Sequence, residues 1–380
     1  MTETQKKFTQ KVESFVSTMD LTLLSNKFHS LIENKVFIYG AGNMGTATCQ
    51  LLQKVGINVA AFFDRCGGNA ATHLNKRVFK IEEHEIAAYD RKKDIIVIAF
   101  ICSSEQLQTI KRQLIESGYE NIISFYDIYG LLITNKLTTA ERTDMSSIAM
   151  NQVIKTAGLW DDSSSRNIYH NYLKAVLSAN PGLFSAMIEQ PQYFVNDIPF
   201  KMGYSRFVDC GAFDGDTALS LSMQKGKAQS IACFEPDSQN FIKLCSNLRK
   251  QRVAAEQILF PCGVWEMSEM LRFRSGVQST SGISEAGDTY IQCVAIDDVI
   301  PDFNPTFIKM DVEGAEYEAL LGAQKTIQGS APDLAISVYH RIEHMWEIPL
   351  LVQSINPNYK FYLRSHGSHN VETIMYATQK

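Results

Sequence analysis

The chain has 380 residues, with 36 Lys plus Arg against 41 Asp plus Glu for a formal net charge of -5; 45 % of residues are hydrophobic and 20 % charged. That length exceeds what one hydrophobic core usually covers, so two domains are expected, and the composition excludes a disordered or collagen-like chain. The acidic balance argues against a protein that grips nucleic acid or an anionic membrane, and no apolar run approaches the ~18 residues of a membrane span.

The opening residues, MTETQKKFTQKVESF, are polar and lack the apolar stretch of a secretory signal. The eight Cys are scattered without a C-x-x-C pair, and most sit inside apolar runs, as do Cys102, Cys233 and Cys293. They read as reduced, buried thiols of a cytoplasmic protein, with neither a zinc site nor a disulfide frame.

A polar, helical lead-in is expected over residues 5–33. Val36-Phe37-Ile38-Tyr39 then reads as a buried strand, followed by Gly40-Ala41-Gly42-Asn43-Met44-Gly45 and a helix through Leu52. A second apolar run, Asn58 to Phe63, ends in Asp64. Ile95 to Phe100 is a third strand, Glu105 to Ser117 an amphipathic helix, and Ile122 to Tyr126 a short strand. Strands alternating with helices of this length predict a parallel α/β sheet covered on both faces. Residues 132–168 lose that rhythm to Thr, Ser, Asp and Asn and read as a linker or helical connector.

The rhythm restarts with seven predicted strands: Arg206 to Asp209, Ser230 to Phe234, Ile258 to Phe260, Phe307 to Met310, Leu334 to Val338, Tyr359 to Leu363 and Glu372 to Tyr376. The expected organisation is therefore a helix plus Rossmann-like nucleotide-binding domain over 1–135, a linker over 136–165 and a second open α/β sheet over 166–380. The fold class is α/β with two Rossmann-like domains.

Three segments of the second sheet place acids and glycines at the C-terminal ends of strands, the edge where open α/β sheets bind ligands. The first runs Phe207-Val208-Asp209-Cys210-Gly211-Ala212-Phe213-Asp214-Gly215-Asp216-Thr217. Its carboxylates would repel a pyrophosphate but suit a ligand bearing an amine or other positive centre. The second, Cys233-Phe234-Glu235-Pro236-Asp237, ends a strand with an acid placed to accept from ribose hydroxyls. An amine, a positive centre and a ribose together describe S-adenosylmethionine. The third, Phe307-Ile308-Lys309-Met310-Asp311-Val312-Glu313-Gly314-Ala315-Glu316, puts Asp311 and Glu313 over the same crevice.

These segments, with Leu321-Gly322-Ala323, Val338-Tyr339-His340, Trp346-Glu347-Ile348-Pro349, Tyr362-Leu363-Arg364 and Glu372 through Ala377, closely resemble the FkbM family of S-adenosylmethionine-dependent O-methyltransferases. The likeness covers about residues 160–380. It implies a seven-stranded class I methyltransferase sheet whose last strand is antiparallel. It further implies that Asp209, Gly211, Ala212, Asp214, Gly215 and Thr217 surround the methionine side of the cofactor and Glu235 its ribose. Asp237 and the Cys262-Gly263-Val264-Trp265 stretch would neighbour the adenine, and Asp311, Glu313 and His340 would face the acceptor. By resemblance the acceptor is a hydroxyl of a sugar, glycan precursor or secondary metabolite.

Methyl transfer to oxygen needs alignment and removal of one proton. His340 is one candidate base because its free pKa lies near operating pH, and Asp311 beside Glu313 is another. A divalent cation on Asp311 and Glu313 is the third option. Glu316 and Glu318 read as a solvated helix face, and His344, His366 and His369 as surface residues. Arg364 or His366 is a candidate contact for an anionic acceptor, and Ser275 to Ser284 a surface loop or lid.

Gly40-x-Gly42-x-x-Gly45 between strand and helix, with Asp64 ending the next strand, satisfies the dinucleotide fingerprint. Three readings of that first domain stay open: a bound nucleotide or nucleotide-sugar, a ligand-free docking domain, or working NAD. The last makes an NAD(P)-dependent oxidoreductase the competing function, although no hydride-transfer constellation follows the loop.

Overall fold

The structure, a computed structural model, describes residues 1–18, 29–54, 56–65, 67, 71–80, 90–100, 104–125, 127–128, 143–178, 181–274, 282–283, 289–367 and 370–380. It divides into two compact units. One comprises residues 1–13, 151–169 and 186–380, and the other residues 14–150 and 170–185. Among the described residues, no helix is long and apolar enough to cross a membrane.

The second unit holds a six-stranded sheet made from β1 (Val36–Tyr39), β2 (Val59–Phe63), β3 (Thr72–His73), β4 (Lys76–Phe79), β5 (Ile95–Ile98) and β6 (Asn121–Ser124). Its order is β3-β4-β2-β1-β5-β6, with every pair parallel except the β3–β4 hairpin. β1 and β5 are short, continuously apolar and nearly fully buried, as strands covered on both faces must be. The helix Asn43–Lys54 follows β1 and the helix Ser104–Glu116 follows β5. The expected strands are all present, and the hairpin is an addition.

The other unit is built on seven strands: β7 (Arg206–Cys210), β8 (Ala228–Phe234), β9 (Ala254–Phe260), β14 (Phe307–Met310), β15 (Asp333–Ser337), β16 (Tyr359–Ser365) and β17 (Thr373–Gln379). Their order is β16-β17-β15-β14-β7-β8-β9, and β17 runs antiparallel to both of its neighbours while the remaining pairs are parallel. This is the α/β sheet with an antiparallel last strand that the resemblance implied. The core against it includes Phe207, Ile231, Phe307 and Tyr376. The Phe207 and Phe307 rings stack at 5.4 Å on adjacent strands. Each such buried aromatic contributes about 1.5–3 kcal/mol, which fixes the two central strands in register.

A small sheet went unforeseen. β10 (Gly263–Val264), β11 (Glu269–Arg274), β12 (Gly282–Ile283) and β13 (Thr289–Val294) form it in the order β10-β13-β11-β12. Most of the loop expected over Ser275 to Ser284 lies outside the described residues, apart from β12. Residues 160–165 pack onto this same unit: Trp160 pairs with Phe361 of β16, and the Asp161 amide donates to the Phe361 carbonyl at 2.9 Å.

Candidate functional site

The ends of β7, β8 and β14 bring the three acidic segments together. Two contacts lock β7 to β14. The Asp311 amide donates to the Cys210 carbonyl at 3.0 Å. Gly211 has φ +77°, and a Cβ there would fall on the Asp311 carbonyl oxygen, so only glycine fits.

Asp209 does not face the crevice. It is fully buried, and the Lys309 ammonium lies 3.0 Å from its Oδ1. Burial pushes its carboxyl up to about 6, against the opposing pull of Lys309. Burial would lower the Lys309 ammonium, but the Asp209 and Asp311 carboxylates outweigh it and hold it above the ordinary range. Lys309 also donates to the Gly211 carbonyl at 2.6 Å and the Cys210 carbonyl at 3.2 Å. The pair therefore braces the glycine loop from behind, which corrects the expectation that Asp209 touches a cofactor.

Glu235 closes β8 and ties the loop to it. Its Oε2 accepts from the Phe213 amide at 2.9 Å and its Oε1 from the Asp237 amide at 2.8 Å. Burial pushes this carboxyl up to about 7 despite those bonds. Phe213 holds a left-handed φ of 48°, rare for a bulky side chain and a local strain. Asp214 is half-buried and Gly215 buried at the start of the helix Asp216–Lys225. Ala212 and Thr217 are buried beneath them.

Asp237 has a structural task of its own. It caps the helix Ser238–Lys250, accepting from the Gln239 and Asn240 amides at 3.0 and 3.1 Å. Such a cap stabilises a helix by about 1 kcal/mol. Gly263 and Val264 are buried in the small sheet, and a Cβ on Gly263 would press on the Cys293 sulfur.

The residues expected to face an acceptor converge on His340. Its Nδ1 lies 2.7 Å from Glu316 Oε1, and its Nε2 lies 3.5 Å from Asp311 Oδ1 and 3.6 Å from Glu313 Oε2. Burial would lower the imidazole, but Glu316, then Asp311 and Glu313, push it up to about 10. A ring held cationic at neutral pH has no lone pair for a proton, so His340 in this state is not the general base. Burial pushes Glu313 up to about 7, and it holds a left-handed φ of 55°.

Glu316 is no solvated residue. It is fully buried, its Oε1 accepts from the Val312 and Gly314 amides at 2.9 and 3.3 Å, and the His340 charge holds it well below the usual range despite burial. His344, expected at the surface, is buried with Nδ1 3.1 Å from Glu316 Oε2. Arg364 is also buried: its Nε donates to Asp197 at 2.9 Å and its terminal nitrogens to Asp162, Ser165 and the Leu363 carbonyl. It has no donor fork left for an acceptor. His366 is half-buried, its Nδ1 and Nε2 lying 3.2 and 2.8 Å from the Gln190 carbonyl and the Tyr376 hydroxyl, and His369 lies outside the described residues.

Three rim residues had not been foreseen. Tyr193 donates to Asp311 Oδ2 at 2.7 Å, Tyr339 to Glu372 Oε1 at 3.3 Å, and Gln192 to the other oxygen of Glu372. Tyr193 lies in an irregular segment with no periodicity to flag it. Glu316 had a signal in the repeated acids of Asp311-Val312-Glu313-Gly314-Ala315-Glu316, since amides of a turn before a helix want a carboxylate.

Residues 209–369 match the family described as the methyltransferase FkbM domain. Over this segment the chain is similar to methyltransferase FkbM domains. The match supports a methyltransferase role, and the domain spans β7 through the approach to β17, with all the rim residues of the third segment inside it. The methyltransferase FkbM of Methylobacillus flagellatus KT, a crystal structure, superposes with a TM-score of 0.67 at 22 % identity, covering 98 % of each chain. At that identity the likeness carries the fold. No curated protein compared with the chain matches it significantly.

In the other unit, the glycine loop is closed on itself. The Gly40 amide donates to the Phe63 carbonyl and the Ala41 amide to Asp64 Oδ2, both at 2.8 Å. A Cβ on Gly45 would fall on the Gly40 carbonyl oxygen, so helix and strand meet there at backbone distance. Gly42 has open space around it. Asp64 thus spends one oxygen on closing the loop.

Proposed function

We propose that the FkbM domain transfers a methyl group from S-adenosylmethionine to a hydroxyl of a sugar, glycan precursor or secondary metabolite. The observation that carries this reading is the Glu235 carboxylate at the end of β8, bonded to the glycine-bearing loop of a methyltransferase domain. Ribose hydroxyls are donors, and an ionised carboxylate accepts them strongly. Gly211, Phe213, Asp214 and Gly215 would line the methionine side, where Asp214 suits an ammonium group. Bound there, the cofactor supplies an electrophilic methyl on a sulfonium.

The rim supplies the acceptor's half of the chemistry. Asp311 is held by Tyr193, and His340 by Glu316. Without a bound cation His340 carries both ring protons, so the hydroxyl's proton leaves toward the carboxylates of Asp311 and Glu313. Glu313, with its carboxyl near 7, is matched to taking a proton at neutral pH. The acidic rim favours an acceptor that is neutral or cationic around the reacting hydroxyl.

For the other unit, a nucleotide or nucleotide-sugar at Gly40, Gly42 and Gly45 is the reading retained. An NAD(P)-dependent oxidoreductase is not favoured, because no hydride-transfer group accompanies that loop among the described residues. The described cysteines are free and mostly buried, which fits a cytoplasmic location. Calorimetric titration with S-adenosylhomocysteine and with NAD separates the readings. S-adenosylhomocysteine binding that weakens in Glu235→Gln supports the transferase, whereas binding of NAD alone overturns it.

A further inference from the structure

We infer that the rim is a divalent metal site, its cation held by Asp311 Oδ1, Glu313 Oε2 and His340 Nε2. Its catalytic part rests on the transferase reading above; the metal site itself does not. Glu316 Oε1 accepts three donors and is ionised, so it accepts only, and His340 Nδ1 must carry the proton in their 2.7 Å bond. That fixes the ring and turns Nε2 toward Asp311 and Glu313, where a bound cation would displace the Nε2 proton. A ligating imidazole is commonly oriented in this way by a carboxylate on its other nitrogen.

Among the described residues Nε2 has no hydrogen-bond partner, although only 9 % of the His340 side chain is exposed. Its nearest oxygens, at 3.5 and 3.6 Å, are too far for hydrogen bonds. They lie near the spacing of two ligands around one ion, because bonds of about 2.0–2.2 Å at right-angled to tetrahedral geometry put ligand atoms ~3.0–3.5 Å apart. Asp311 is held by Tyr193 on Oδ2, and its Oδ1 lies 3.5 Å from both Nε2 and the Tyr339 hydroxyl, which donates to it at that long distance. The Asp311 and Glu313 side chains are 21 % and 36 % exposed, so an ion has a way in.

Two carboxylates and one imidazole suit a first-row divalent ion such as Mn²⁺. Its open positions would take two neighbouring oxygens of the acceptor, which names the acceptor class as a vicinal diol. The coordinated hydroxyl becomes more acidic. Its proton passes to a rim carboxylate oxygen left off the metal, its oxygen forms the new bond to the methyl carbon, and the sulfur–carbon bond breaks to leave S-adenosylhomocysteine.

The full chain, stripped with a chelator, is titrated with Mn²⁺ while the free ion is followed by electron paramagnetic resonance. One Mn²⁺ per chain is expected, weakened at least ~10-fold in His340→Gln and in Glu316→Gln. Glu313→Gln, at a partly exposed position, should weaken it likewise and decides the question if the buried variants do not fold. Absence of saturable binding at one ion per chain, or an affinity unchanged in these variants, overturns the site and leaves an imidazolium among carboxylates as its meaning. S-adenosylhomocysteine is titrated into the same samples. Its failure to bind overturns the transferase reading, independently of the Mn²⁺ result.

Discussion

The phenol of Tyr193 donates to Asp311 Oδ2 at 2.7 Å, joining an irregular segment to the end of β14 across 118 residues of sequence. Tyr193 is buried, and burial followed by the Asp311 charge raises its hydroxyl far above the ordinary range, so it acts as a donor throughout the working pH range. Tyr193→Phe removes that donor without changing ring volume. The expected loss is about 1–3 kcal/mol, set by the partner left unsatisfied. Chemical denaturation measures it, and S-adenosylhomocysteine affinity should stay within about twofold because the lost bond lies on the acceptor side.

The Asp209–Lys309 pair should behave as a unit. Asp209→Asn leaves a buried ammonium uncompensated and should cost about 3–5 kcal/mol. Replacing both residues, as Asp209→Asn with Lys309→Met, should recover a large part of that loss. A double-mutant cycle by urea unfolding tests the coupling, and strictly additive losses would refute it.

Glu235 should impose two opposite pH dependences. Its carboxyl rises from an ordinary 4.5 to about 7 in the folded protein, so folding takes up a proton between those values. Its contribution to stability is therefore complete below 4.5 and lost as pH rises through about 7. Ribose hydroxyls instead select the ionised form, so S-adenosylhomocysteine affinity should climb through the same interval and level off above it. Glu235→Gln should flatten the affinity profile and weaken binding at pH 8 by about 10-fold or more. Calorimetry across pH 5.5–8.5 (about 3 units around the carboxyl's transition) checks both slopes, and a profile independent of pH would refute the assignment.

Arg364 should prove structural. It is buried, and its partners Asp162 and Asp197 are 30 % and 42 % exposed, so water can take over their charges when it is removed. Arg364→Met should therefore cost only about 2 kcal/mol, less than breaking a fully buried pair. Unfolding measurements give that loss, while S-adenosylhomocysteine affinity should not move.

The sheet of the FkbM domain was legible because its strands are buried on both faces and so appear as uninterrupted apolar runs such as Phe307–Met310. The acids at their ends were legible for the same reason, since they interrupt those runs. Side-chain partnerships were not. Glu316 meets His340 24 residues away and Tyr193 meets Asp311 118 residues away, and such long-range contacts leave no periodic trace. Glu316 was read as solvated because helical spacing describes a helix in isolation, whereas here the first turn faces inward onto the Val312 and Gly314 amides. Asp237 shows why such roles overlap, because capping and ligand binding favour the same residue type at a helix start.

The missing side chain at Gly211 has a mechanical consequence. With the carbonyl of Asp311 seated where a β-carbon would stand, the glycine loop after β7 and the acidic rim after β14 share one backbone junction and cannot slide past each other. The distance between them is then set by main-chain packing rather than by side chains. A ligand gripping either half finds the other already at its working separation.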